Sequence, residues 1–442
     1  MIPTFALIVR ASISRVYGTS RYRLQRTGWM CPRFGYPACM HLRSRPWRAL
    51  FLPCTLVLAA CSAWAAGCTD EAPSSSPDTI DGGPKADTGP ASGDGGDGGP
   101  AADTGAPDGA AARDCTSDAD ADGLWKHLEC SGLYSSFADK TVSADAKPYK
   151  PAVEFWSDGA AKSRWIYLPP GAKIDISNWN EWSFPAGTKV WKEFKLGGKR
   201  IETRLFTKLP DKTWSHTTYR WTADESDAAR KDGGELIAGL GPDGGTYEVP
   251  SAGQCDQCHM GRADRLIGFD AVSLGQASAT GETLAKLATD GLLSQAPPAT
   301  TLSMPGSATA TAALAWVQIN CGMCHNGNPG AAASFRSHYL VRASQLASPD
   351  GGAPASLQEL DIWQQAYCYN TSRTEPDAGV PYKYIRGGSP ERSLMSILSG
   401  QRVPEGQLPN PGVQMPPIVT RAVDHQGHAL LDDWISSLPP CN

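Results

Sequence analysis

Lys189-Val190-Trp191-Lys192-Glu193-Phe194-Lys195-Leu196, then Gly197-Gly198, then Lys199-Arg200-Ile201-Glu202-Thr203-Arg204-Leu205-Phe206-Thr207 is the stretch that decides the fold. Two runs rich in large side chains, parted by two glycines, predict a hairpin, because glycine takes the positive-φ positions of a tight turn at no steric cost. In the second run Ile201, Thr203 and Leu205 alternate with Arg200, Glu202 and Arg204, the period of two of a strand. Upstream, Trp165–Leu168 runs into the turn signal Pro169-Pro170-Gly171, and downstream Trp214–Trp221 follows Pro210-Asp211. Seven of the 14 Trp fall between Trp156 and Trp221. Such rings can bind sugars or other flat ligands, but a small antiparallel sheet fills its core the same way, and core is the reading adopted. Residues 113–250 are expected to form an antiparallel β-rich domain.

Past residue 300 the period changes. Ala308–Ile319 is Ala-rich, with Leu314, Trp316 and Val317, and leads straight to Cys321. Near the end, Leu431, Trp434, Ile435 and Leu438 keep the i, i+3, i+4, i+7 spacing of a helix that Pro439-Pro440 stops. The fold class expected is α+β: the β-rich domain, a connecting segment at 251–307, then a mainly helical domain at 308–442.

Two motifs carry the chemistry. Cys255-Asp256-Gln257-Cys258-His259 and Cys321-Gly322-Met323-Cys324-His325 are both C-x-x-C-H. The spacing puts two thiols on one turn, where they can form thioethers with the vinyl groups of haem, and holds the next residue beneath the iron as proximal ligand. Paired C-x-x-C motifs can also make a four-thiolate zinc site, and one alone a redox dithiol. Neither needs the histidine that follows both motifs, and His is only 8 of 442 residues. Two covalent haems c are therefore expected, with His259 and His325 as axial ligands.

A helix leading into the second motif and a helix at the C-terminus, crossing each other, make the frame of the small cytochrome c fold. Between them Met415-Pro416-Pro417 resembles the sixth-ligand loop of class I cytochromes c, so Met415 is expected opposite His325. The departure is distance: 90 positions separate the two. For the first iron Met304, His216 and His338 are candidates, each more readily an ordinary packing or surface residue; Met260 adjoins His259 too closely to reach the opposite face. A five-coordinate first haem is the other outcome.

The front of the chain reads as an address. Residues 1–68 hold nine Arg and no acid, which leaves 31 basic against 45 acidic groups in the rest and hides behind a net charge of −5. That excludes the basic face of a nucleic-acid binder. Ala49–Gly67 is nearly all apolar behind Trp47-Arg48, like a signal-peptide core; Pro53 and the many Ala make it a weak membrane span. Met40-His41-Leu42-Arg43-Ser44-Arg45 supplies the short basic start, so residues 1–39 are expected to precede the true start. Leu58-Ala59-Ala60-Cys61 and Ala65-Ala66-Gly67-Cys68 both resemble a lipobox, whose cysteine is lipidated. Leu58 favours Cys61; Gly67 and the polar run after it favour Cys68. From 69 to 112 the composition collapses to Asp, Gly, Pro, Ala, Ser and Thr with Ile80 the one sizeable apolar residue, too little to offset ordering entropy. Such a tether spans roughly 35–40 Å and places the body in the bacterial cell envelope, lipid-anchored, periplasmic or at the outer membrane.

Asp118, Asp120, Asp122, Gly123 and Glu129 then satisfy the D-x-D-x-D-G-x5-E calcium-loop pattern. An EF-hand needs a helix upstream, which the tether does not provide, so an acidic end to an acidic linker is the plainer reading and calcium a weak one. Cys115, Cys130, Cys368 and Cys441 remain for disulfides. They allow three pairings; proximity favours Cys115–Cys130, leaving Cys368–Cys441.

On these motifs the chain resembles a family of poorly characterised bacterial di-haem c-type cytochrome lipoproteins. The resemblance covers about residues 130–442. It rests on Phe155-Trp156-Ser157-Asp158, Tyr167-Leu168-Pro169-Pro170-Gly171, Trp182-Ser183-Phe184-Pro185-Ala186-Gly187-Thr188, Ile201-Glu202-Thr203-Arg204-Leu205, both haem motifs and the Met-Pro-Pro loop. It implies an envelope partner of parallel β-helix type, beside an unspecified redox partner protein. The function expected is one-electron transfer by a tethered carrier rather than an enzyme. The alternatives are a di-haem redox enzyme, peroxidase-like or an oxidase subunit, with one open haem, and a surface-binding module using the Trp-rich sheet.

Overall fold

The hairpin lies at the middle of a seven-stranded, wholly antiparallel sheet. Its strands are β1 (Lys147–Lys150), β2 (Ala161–Tyr167), β3 (Lys189–Leu196), β4 (Lys199–Lys208), β5 (Trp214–Trp221), β6 (Ala228–Arg230) and β7 (Thr280–Gly281), in the spatial order β7-β1-β2-β3-β4-β5-β6. This is seen in a computed structural model that describes residues 113–442 apart from 335, 405 and 408. The expected leader, both lipobox cysteines and the linker at 69–112 lie outside the described residues. Gly197 and Gly198 take φ of 54° and 81°, as the tight turn requires. β3 and β5 have the bounds expected of them; β2 begins four residues before Trp165 and β4 extends to Lys208.

Both faces of the sheet are covered. On one, Trp191, Leu205, Tyr219 and Trp221 pack against Leu124, Leu128, Leu133 and Tyr134. On the other, Ile166, Val190 and Phe206 enter the largest core, with Trp182, Phe184, Phe269, Leu314, Leu431 and Trp434. Four of the seven Trp in the β-rich stretch are buried and three half-buried, so they serve the interior.

Three α-helices matter to the site: α1 (Ala252–His259), α2 (Ala308–Asn320) and α3 (His425–Ser437). Ser251 caps α1 with a reciprocal capping box through Gln254, and Ser307 and Asp424 cap α2 and α3; each satisfies an amide at an end that has none of its own partners. α2 packs against α3 as expected. The indole N–H of Trp316 on α2 donates to Asp424 (2.8 Å) at the start of α3. Between these helices the chain forms short helical turns, a ribbon at 370–374 and 381–383, and long irregular connections. The α+β class with a β-rich domain is thus present. Cys115–Cys130 and Cys368–Cys441 are both disulfides. Among the described residues no helix is long and apolar enough to cross a membrane.

Candidate functional site

The two C-x-x-C-H motifs, 66 positions apart in sequence, face one another. The sulfurs of Cys258 and Cys324 are 3.8 Å apart. Two glycines allow the approach. A Cβ on Gly261 would stand 1.9 Å from the carbonyl oxygen of Met323, and one on Gly330 would stand 2.3 Å from that of Met260. Asn328 ties the same junction, donating to Gly261 O (2.9 Å) and to Glu181 (3.0 Å).

Each histidine is held in the same way by unrelated scaffolds. His259, the last residue of α1, stacks on Phe206 of β4 (4.3 Å between ring centres), and its Nδ1 lies 2.6 Å from Arg265 O. His325 stacks on Tyr339 (4.7 Å) with its Nδ1 3.2 Å from Ser337 O. A carbonyl can only accept, so Nδ1 carries the proton and Nε2 holds the lone pair. Burial lowers the pKa of His259 to about 3 and that of His325 to about 4, so both rings are neutral at pH 7. Neither Nε2 makes a hydrogen bond among the described residues. This is the arrangement that metal-bound imidazole needs, a tautomer fixed by a backbone carbonyl that accepts from the other ring nitrogen. Arg265 presents its carbonyl from a left-handed backbone, φ 63°, a conformation costing a side-chain-bearing residue about 1–2 kcal/mol.

Burial pushes Cys255 up and Cys321 to about 12, while the contact between Cys258 and Cys324 raises the first and lowers the second. Among the described residues no group of three or more His, Cys, Asp or Glu gathers on one point; of the four thiols, Cys258 and Cys324 are in sulfur–sulfur contact.

Beside the first motif lies a cleft lined by Cys255, Cys258 and His259, by Arg164, Lys192, Arg204 and Phe206 of the sheet, and by Ile418 and Val419. The last two belong to the loop that carries Met415, whose own N–H donates to Leu398 O (2.8 Å). That loop therefore reaches the first motif. The remaining candidate ligands are otherwise engaged. His216 stacks on Phe206 with Nε2 3.2 Å from Ala252 O; His338 Nε2 lies 3.0 Å from Ser334 O. Met304 is buried in the main core, and Met260 is exposed.

The acidic run after Cys115 is spread over separate cations. Asp118 bonds His127 (2.7 Å), Asp120 and Asp122 pair with Arg230, and Glu129 pairs with Arg113 (3.3 Å). The carboxylates of Asp118, Asp120, Asp122 and Glu129 do not converge, and a 3-10 turn at Leu128–Ser131 stands where an EF-hand would place its second helix.

The sequence reading had not singled out Phe206, Tyr339, Arg265, Ser337 or the cationic residues of the cleft. Only the basic members of the hairpin's polar stripe gave a signal. Comparison with protein-family models, curated proteins and solved structures finds no match for this chain.

Proposed function

We propose that the chain is an envelope-tethered di-haem c-type cytochrome that transfers single electrons, of the lipoprotein family its motifs resemble, with 308–442 as a cytochrome c-like domain. The observation that carries the reading is the pair of neutral, tautomer-fixed histidines, each behind two cysteines at thioether spacing, with the two motifs in contact. Cys255 and Cys258 would hold one haem over His259, and Cys321 and Cys324 the other over His325. Bound there, each iron would cycle between ferric and ferrous. The protein's part is to orient the imidazoles through Arg265 O and Ser337 O, to exclude water with Phe206 and Tyr339, and to set the two groups side by side for rapid exchange. Met415 is proposed as sixth ligand of the haem at Cys321, Cys324 and His325. The anchor is Cys61 or Cys68, and the partners are a redox protein and an envelope β-helix protein.

Intact mass after maturation by a cytochrome c assembly system tests this directly: two haem additions are expected to survive denaturation, and one in a Cys321→Ala/Cys324→Ala variant. No addition, or zinc, removes the reading. Labelling with a fatty-acid analogue in Cys61→Ala and Cys68→Ala variants identifies the anchor; membrane retention of both would point to a retained apolar span instead.

A second reading has one observation behind it. Among the described residues His259 is the only histidine lining the first cleft, and no methionine lines it, which would suit an open iron and a redox enzyme. Prompt reaction of the reduced protein with carbon monoxide, or of the oxidised protein with peroxide, would favour the enzyme; inertness favours the carrier.

A further inference from the structure

The polar stripe of the hairpin continues across three strands. Arg164 on β2 stands directly opposite Lys192 on β3, and Lys192 directly opposite Arg204 on β4. Like charges in direct cross-strand register repel, and this row sits on a covered face: Arg164 is 6% exposed, Lys192 and Arg204 half-buried. Two members have carboxylate partners. Arg164 donates to Glu154 (2.8 Å), and Arg204 binds Glu202 through two bonds of 2.9 and 2.6 Å. Lys192 has none. Its ammonium lies over the rings of Phe194 at 4.8 Å and Phe155 at 5.8 Å, between Arg164 and Arg204, and the Glu154 carboxylate that pairs with Arg164 also acts on it.

All three cations line the cleft beside Cys255, Cys258 and His259. A partly buried row of three cations against two paired carboxylates, Glu154 and Glu202, is a favourable place for a further anion. Burial, and then Arg164 and Arg204, hold the Lys192 ammonium well below the usual lysine range, the state of a cation waiting for its counter-charge.

We infer that Arg164, Lys192 and Arg204 form the seat for the carboxylate side chains of the macrocycle attached at Cys255 and Cys258, with Lys192 as the principal partner. This rests on the di-haem reading. A haem has two propionates on the edge away from its thioethers, and a cationic wall meeting that edge fixes which way round the ring enters. Among the described residues the second motif has a different setting: His325 is backed by Tyr339, Ser337 and the main core, with Arg336 as the cation acting on its ring. The two haems should therefore differ in how strongly charge at their carboxylates tunes them.

The test compares wild type with Lys192→Met and Lys192→Arg, all matured with haem. Expected in Lys192→Met are two haem additions by mass, unchanged axial-ligand bands, and a lower midpoint potential for one haem only, the one absent from a Cys255→Ala/Cys258→Ala variant. A shift of the propionate bending band in resonance Raman should accompany it. Lys192→Arg should restore both. Two haems with neither potential nor Raman band moved overturns the inference. So does a changed axial signature, which would place Lys192 on the iron. A wild-type chain without haem is a different failure, seen in the first mass spectrum, and removes the reading underneath.

Discussion

The two motif regions solve one problem with opposite materials. At the first, a short helix end lays His259 on a sheet whose facing residues include three cations and two carboxylates. At the second, His325 follows a long apolar helix, and its ring is backed by Tyr339 amid core residues. What they share is narrow: an aromatic ring behind each imidazole and a backbone carbonyl fixing Nδ1. What differs is the charge around them. The shared part fixes the tautomer of each ring; the unshared part sets the field in which that ring sits.

The contact between the regions is the first thing to break. Gly261→Ala should have the largest effect, because its Cβ would meet a backbone oxygen, Met323 O, which has no flexible end to swing away. Loss of the cooperative thermal transition, or a fall of several degrees, is expected, with loss of any exciton splitting between the haem Soret bands. An unchanged melting temperature would mean that the motifs do not meet there. Next, Phe206→Ala and Tyr339→Ala should each cost about 3–5 kcal/mol, read by denaturant unfolding, and each should disturb the spectrum of its own haem alone. Equal disturbance of both haems by either variant would undo the comparison.

Met415→Ala should act on one haem and leave the fold intact. A thioether favours ferrous iron, so the expected result is a lower potential and loss of the far-red sulfur-to-iron band in the ferric protein. The haem affected should persist in Cys255→Ala/Cys258→Ala. An effect confined to the other haem would follow instead from Ile418 and Val419 reaching the first cleft. The smallest change expected is Arg265→Gly. It relieves the left-handed backbone yet keeps the carbonyl at His259, so stability should move by less than about 1 kcal/mol and the His259 haem should keep its spectrum. Detachment of that ligand would show that the Arg265 side chain, paired with Asp256 at 2.5 Å, does the holding.

Local pattern made much of this legible. The Gly197-Gly198 turn, the strands beside it and α2 follow from period and punctuation, and the cysteine and histidine spacing picks out the two motifs that the fold brings into contact. The alternation in β4 assigned Arg200, Glu202 and Arg204 to one face, but a period of two cannot say what covers a face. In the folded chain Glu202 is fully buried, and Arg204 faces α1, which arrives some 50 positions later in sequence. Phe206 and Tyr339 were invisible for the same reason, being ordinary aromatics until a distant ring lands on them. Gly261 and Gly330 read as loop glycines. Their need to be small exists only once Met323 O and Met260 O are beside them.

The staple between Cys115 and Cys130 has a mechanical consequence. Tension drawn along the chain from its N-terminal side enters the body at Cys115 and crosses to Cys130 through a covalent bond, so the packed residues 116–129 are bypassed by the load. The force is delivered next to Leu128 and Leu133, both fully buried under the sheet. At the other end Cys441 is fastened to Cys368, 73 positions back. Pulled from outside both staples, the body between them would have to give way in its interior rather than peel from its edges.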